Sequence, residues 1–314
     1  MNINETSRQE YISRINRVMD YVDKNIDRPL NLGILSGIAS FSPFHFHRIF
    51  TVLTGETPGN YIQRMRVEKA ARLLQNDKRM SIGEIACACG FGSISLFSRS
   101  FRACFHTTAK EYRQREKSVF AKDGLQYGKN GQLLGKNLKQ DFDFDAQLCT
   151  VKLNHLIFMD AKIEIKEMPE MQVVYVRHTG EFNQIGKAFE KLMKWAGPRG
   201  LLLFPETKTV TLYLDDPTVT AIEKLRQDAC ITVNGNVKVE GEIGKAVIPA
   251  GKHAVGRFQI DADGFEKAWG TVGLWITESG YQPYGNPYEL YYSSPGDGAQ
   301  GKFDLEICIP VKPL

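Results

Sequence analysis

Residues 39–62 read ASFSPFHFHRIFTVLTGETPGNYI. Pro43 suits the first turn of a helix, where its missing N–H has no intrahelical partner to lose. The spacing predicts a helix over 43–53 with Phe46, Ile49, Phe50 and Leu53 at i, i+3, i+4 and i+7, a single apolar stripe for a core. Phe44, His45, His47, Arg48 and Thr51 fall off that stripe, toward solvent. His45 and His47 are two apart and do not share a helix face, so the pair is not read as a metal site. What is left is a short exposed face that is both basic and aromatic. A DNA major groove accepts such a face. Arg donates to both acceptors of guanine, His hydrogen-bonds, and Phe packs on a thymine methyl.

The residues around this helix repeat. Ile12, Ile15, Met19, Val22 and Ile26 mark an amphipathic helix that Arg28-Pro29 ends. Leu32, Leu35 and Ile38 mark a short one, and Ser40-Phe41-Ser42 a tight turn. Residues 81–105, SIGEIACACGFGSISLFSRSFRACF, follow the same plan. Leu35 and Phe41 match Ile85 and Phe91 at an offset of 50. Phe46, Arg48, Phe50 and Tyr61 match Phe97, Arg99, Phe101 and Tyr112 at 51. A helix over 58–76, with Ile62, Met65, Ala70, Leu73 and Leu74 as its face, joins two helix–turn–helix units. The exposed face of the second is Ile94, Ser95, Ser98 and Arg99.

Bulk composition sets limits. The chain has 314 residues, 42% hydrophobic and 24% charged, enough for two or three globular domains with cores of their own. No apolar run approaches the ~18 residues that span a bilayer, and MNINETSRQEYISR has no signal-like apolar region. A cytoplasmic protein is the expectation. None of the six cysteines forms C-x-x-C, and Cys87 and Cys89 diverge on a helix, so buried free thiols are expected and no metal or cofactor. Residues 1–118 hold 18 Lys+Arg against 11 Asp+Glu, a balance of +7, whereas the remaining 196 hold 22 against 25, or −3. A basic N-terminal third points to a polyanion partner for that third alone, or to a solvated surface with a mild excess.

Over 118–160 periodicity is lost and Gly, Asn, Lys and Asp are frequent, a tether. From 161 the pattern is strand, Pro169 turn, strand, helix, strand, strand. It then recurs around Pro249. At an offset of 78, Tyr213, Pro217, Lys224, Cys230 and Ile231 match Tyr291, Pro295, Lys302, Cys308 and Ile309. The expected fold class is therefore multi-domain. An all-α domain over 8–117 with two helix–turn–helix units precedes a duplicated α+β domain over 161–314, its halves 161–234 and 237–314 related by a pseudo-twofold axis. A cleft between the halves is the natural ligand site. On PYELYY, Glu289 and Tyr291 share a strand face, matched in the first half by Thr211 and Tyr213. A buried carboxylate there needs a partner, and a cationic ligand between aromatic faces supplies one. Trp269, Trp275, Tyr175 and Tyr284 are the aromatic candidates. A solvated strand end for Glu289 and ordinary core for the tryptophans is an equal reading of the pattern.

The signature G-F-x-S-x-x-x-F-x-R-x-F, here from Gly90 to Phe101 and closing at Tyr112-Arg113, resembles the two-unit DNA-binding domain of the AraC family of transcription regulators. Ala109 stands where proline is common in that family. The resemblance implies that Phe44, His45, His47, Arg48 and Thr51 form the first reader on double-stranded DNA, ~34 Å from a second formed by Ile94, Ser95, Ser98 and Arg99. The stretches IPAGKHAVGRF, LWITESGYQP and NPYELYYSSP look like a GyrI-like effector-binding domain, whose pocket glutamate falls on Glu289. Readers first and sensor second is the Rob-like order. It implies an activator, able to act as a monomer, with RNA polymerase and a small, cationic lipophilic effector as partners. A rival is a small-molecule hydrolase with Glu289 and Tyr291 as an acid–base pair. A third reading makes the second domain a protein-binding module.

Overall fold

A computed structural model describes residues 5–77, 79–114, 159, 161–217, 219–292 and 302–314. Apart from Met159, the expected tether lies outside them. The chain divides into two compact units, the N-terminal helices grouped with residues 239–244, and a C-terminal sheet with its helices.

The first unit comprises α1 (Glu5–Lys24), α2 (Leu32–Ile38), α3 (Pro43–Thr54), α4 (Pro58–Asn76), α5 (Ile82–Ala88), α6 (Ile94–Phe105) and α7 (Ala109–Gln114). The repeat extends to the helix ends. Asn31 and Ser81, 50 apart, cap α2 and α5, and Ser42 and Ser93, 51 apart, cap α3 and α6. Each accepts a hydrogen bond from an otherwise orphaned N–H of the first turn. The turn inside each unit goes through a left-handed residue, Ser40 (φ 53°) and Gly90 (φ 77°). Phe46 and Phe50 are fully buried with Tyr61, and Phe97 and Phe101 are buried with Tyr112. Leu53, expected on the stripe, is instead exposed, because it lies in the last turn of α3, just before the left-handed Gly55 that ends the helix.

Helix α4 is buried on more than the expected face, including Tyr61, Val67, Glu68 and Ala71, because it packs on α3 and also on α5, α6 and α7. Its basic residues are largely committed to structure. Arg64 joins Glu56 at 2.7 Å and Glu68 at 3.1 Å. Arg66 donates to the carbonyls of Ile26 and Arg28, and Lys69 to that of Ala88 at the end of α5. These three charges are thus unavailable to a polyanion.

The second unit comprises β1 (Ile163–Met168), β2 (Met171–Thr179), α8 (Gly186–Ala196), β3 (Thr209–Tyr213), β4 (Arg226–Thr232), β5 (Gly244–Ile248), β6 (Gly251–Ile260), α9 (Phe265–Glu278), β7 (Tyr281–Pro283), β8 (Tyr288–Tyr291) and β9 (Phe303–Pro313). The short β7, paired with β9, is the strand the sequence pattern does not announce. The main sheet runs β1-β6-β9-β8-β3-β4-β2-β5. Exchanging the first set of four strands (β1, β2, β3, β4) with the second (β5, β6, β8, β9) reverses this order onto itself, as a duplication with a twofold axis requires. Thr211 pairs with Glu289 across β3 and β8. These two are also equivalent at the offset of 78, so the axis passes between them. Helix α8 packs on β2 and β4, and α9 on β6, β7 and β9. Their buried positions correspond at an offset of 80: Ile185 with Phe265, Ala188 with Ala268, Leu192 with Val272, Ala196 with Ile276. By the same offset Phe189 corresponds to Trp269, and Trp195 to Trp275.

Candidate functional site: two helix faces and a buried carboxylate

On α3, Phe44 is 74% exposed and His47 and Arg48 are exposed. The Arg48 guanidinium lies 5.9 Å from the centre of the Phe44 ring one turn back. His45 is turned elsewhere. It is half-buried, its ring edge-on to Phe41 at 5.0 Å and to Tyr11 at 5.7 Å. Thr51 is half-buried and donates to the carbonyl of His47. On α6, Ile94, Ser95, Ser98 and Arg99 are all exposed. Among the described residues neither Arg48 nor Arg99 has an ion-pair partner. Arg102, also exposed, stands in α6 where Thr51 stands in α3. The sequence expectation passed over it, although the 51-residue offset marks it. Cys87 and Cys104 are exposed where buried thiols were expected, whereas Cys89, Cys230 and Cys308 are buried.

In the second unit Glu289 is fully buried, so a solvated strand end is ruled out. Its partners are neutral donors. The Trp269 indole N–H reaches Oε1 at 2.9 Å, and the Tyr291 hydroxyl reaches Oε2 at 2.5 Å. Tyr213, the twofold mate of Tyr291, also hydrogen-bonds the carboxylate and packs edge-on to Trp269 at 5.1 Å. Burial, reinforced by the Glu289 charge, pushes the Tyr213 and Tyr291 hydroxyls well above their ordinary pKa. They stay protonated and act as donors.

Trp275 is half-buried against the same cluster as Trp269 and Tyr213. Tyr175 is not. Glu289, Thr211, Ala229 and Val176 face each other along the pairings, whereas Tyr175 faces Cys230 and Val210. Side chains alternate across a sheet, so Tyr175 lies on the opposite face, in a separate cluster with Tyr288. Tyr284 is exposed and lies beside Gly251, away from Glu289. Both are corrections to the expected aromatic set.

Comparison with known proteins agrees with the geometry of both units. Residues 35–115 match a helix-turn-helix domain, and residues 161–312 match the GyrI-like small molecule binding domain. The chain is 32% identical over 154 residues to a DNA gyrase inhibitor of Pectobacterium carotovorum, covering 48% of this chain and 95% of that one. It is 35% identical over 101 residues to the regulatory protein SoxS of Salmonella typhimurium, covering 32% of this chain and 94% of that one. A solved transcriptional regulator of Chromobacterium violaceum with an AraC-type DNA-binding domain is 30% identical over 33% of this chain and 94% of its own, with a TM-score of 0.32. The chain therefore belongs to the AraC-type helix-turn-helix transcription regulators, and carries a GyrI-like small molecule binding domain behind its DNA-binding one.

Proposed function

We propose that this regulator is a cytoplasmic activator that reads DNA with α3 and α6 and answers to a lipophilic cation bound at Glu289. Arg48 and Arg99 are the base-reading residues, with Phe44, His47, Ile94, Ser95 and Ser98 around them. Arg102 and the remaining free basic residues hold phosphate. Two readers on one chain allow a monomer to bind an asymmetric site, and RNA polymerase is the partner that the bound activator recruits. Among the described residues no helix is long and apolar enough to cross a membrane.

The single observation that carries the sensing half is Glu289, a fully buried carboxylate whose hydrogen-bond donors, Trp269, Tyr291 and Tyr213, are uncharged. Hydrogen bonds from neutral donors satisfy its oxygens, but among the described residues no cation offsets its charge. A cationic ligand supplies that charge. To reach the carboxylate it takes the place of the Trp269 indole, which sits on α9. Binding thus biases the position of α9, and the ligand regulates to the extent that it prefers the displaced arrangement.

We prefer a binding site here to a hydrolase. A general acid or base works best with a pKa near the working pH, and Tyr213 and Tyr291 are pushed far the other way. The test is thermal stability of the full chain with tetraphenylphosphonium and with neutral tetraphenylmethane analogues. A cation at a hundred times its dissociation constant is expected to stabilise the protein by about 2.7 kcal/mol, and Glu289→Gln to abolish the effect. Equal response of the two proteins would remove the carboxylate from the site, and no response from either would leave the protein-partner reading of this unit in its place.

A further inference from the structure

The face of the sheet that carries Glu289 is aliphatic over most of its width, with Val174, Val176, Ala229 and Ile231 in one half. At its centre the character changes. Strand β3 places Thr209, Thr211 and Tyr213 on that face, all buried, directly opposite Tyr291 and Glu289. Thr211 lies beside the Tyr291 hydroxyl, but among the described residues neither its own hydroxyl nor that of Thr209, only 8% exposed, has a hydrogen-bond partner. A buried hydroxyl without a partner is unfavourable, and valine fills the same space without that cost.

A second orphan donor lies at the same end of the strand. Trp195, in the last turn of α8, has a buried indole N–H with no partner among the described residues. Two hydrogen bonds lead from that turn toward the start of β3. Leu201 N–H donates to the Ala196 carbonyl, and the Thr207 hydroxyl, two residues before Thr209, donates to the Leu201 carbonyl. The twofold mate of Trp195 is Trp275, and the mate of Thr209 is Pro287. The second half thus has an indole at the matching place but no hydroxyl, so the polar pair is particular to the first half.

We infer that the Glu289 site extends along β3 to a second, acceptor-binding subsite formed by the Thr209 hydroxyl and the Trp195 indole N–H. The preferred ligand is then a lipophilic cation that carries a hydrogen-bond-accepting oxygen. Thr209 is two residues from Thr211, which faces Glu289. At about 3.4 Å per strand residue, the oxygen sits roughly 7 Å from the cationic centre. This inference rests on the cation reading of Glu289, and its test separates the two.

The probes are (4-benzoylbenzyl)trimethylammonium, whose ketone lies at about that distance, and (4-benzylbenzyl)trimethylammonium, which has a methylene in place of the carbonyl. Binding of both to the full chain is measured by calorimetry. The ketone is expected to bind about 5- to 10-fold more tightly, the typical net worth of one or two hydrogen bonds. Thr209→Val and Trp195→Phe should each bring it toward the methylene compound without changing the latter. Glu289→Gln should weaken both probes alike. Without any probe, Thr209→Val should leave the melting temperature unchanged or raise it. Equal affinity of the two probes for the wild type overturns the subsite, as does equal weakening of both by Thr209→Val. A fall in melting temperature in Thr209→Val shows that the hydroxyl serves the fold, and also overturns it. Failure of both probes to bind the wild type removes the cation reading itself, and the subsite with it.

Discussion

Gly90 and Ser40 occupy the same place in the two helix–turn–helix units, and both have a left-handed backbone. A Cβ at Gly90 meets the Ile26 carbonyl at 2.5 Å and the Arg66 guanidinium at 3.0 Å. Gly90→Ala is therefore expected to cost about 3 kcal/mol, from backbone strain and overpacking together. Ser40→Gly relieves a left-handed non-glycine and should stabilise by up to about 1 kcal/mol. Urea titration of both variants measures the pair, and opposite signs are the predicted outcome. At Glu289 the same logic applies to hydrogen bonds. Trp269→Phe removes one donor from a buried carboxylate and should cost about 1–3 kcal/mol, read from the same titration. The glutamate itself stood out in the sequence as a carboxylate without a twofold counterpart. Trp269, Tyr213 and Tyr291 stood out beside it as lining for a ligand, but not as its own hydrogen-bond donors, because which indole and hydroxyls reach it depends on how α9 crosses the sheet. Tyr175 shows the limit. Its aromatic character was visible, but its face was fixed only when β2 found its register on β4.

At the scale of elements, the caps carry a pH dependence. Hydrogen bonds from Ser81 hold the Glu84 carboxyl below its ordinary pKa at the start of α5, and bonds from Thr108 and Thr107 do the same to Glu111 at α7. A carboxyl depressed in the folded state stabilises above its unfolded pKa, and that contribution is lost as pH falls through the folded value. The melting temperature of wild type should therefore drop between about pH 5 and pH 2 by more than that of the Glu84→Gln, Glu111→Gln double variant. Helix α4 is held in another way. Arg64 between Glu56 and Glu68 is largely buried, so Arg64→Met leaves two carboxylates close together without their cation and should cost about 3–5 kcal/mol by thermal melts. The helices themselves were legible from apolar spacing and, for α3, from Pro43 at its start. The wide buried face of α4 was not, since a periodic stripe describes contact with one neighbour and α4 has several. Leu53 failed for the complementary reason, a stripe position at a helix end with nothing to pack against.

For the whole molecule, repetition was the strongest signal in the sequence. Offsets of 50 and 51 anticipated two helix–turn–helix units, and the offset of 78 placed the twofold axis between Thr211 and Glu289, where the strand register puts it. The offset of 80 between α8 and α9 emerged only from their matching buried positions, because the helices share few identical residues. The two readers differ. Phe44 flanks Arg48 on α3, whereas a serine, Ser95, holds the matching place beside Arg99 on α6. Repetition supplied the scaffold, and divergence supplied unequal readers and an unequal pocket. The measurement that bears most directly on this account is selection of sites from a random duplex pool by the wild type, Arg48→Ala and Arg99→Ala, with affinities then taken at several salt concentrations. The account predicts a site of two segments about one helical turn apart. Each variant should lose discrimination within one segment only, a different one for each arginine, at a cost of about 1–3 kcal/mol. Uniform weakening at every position, or loss in the same segment for both variants, would contradict it.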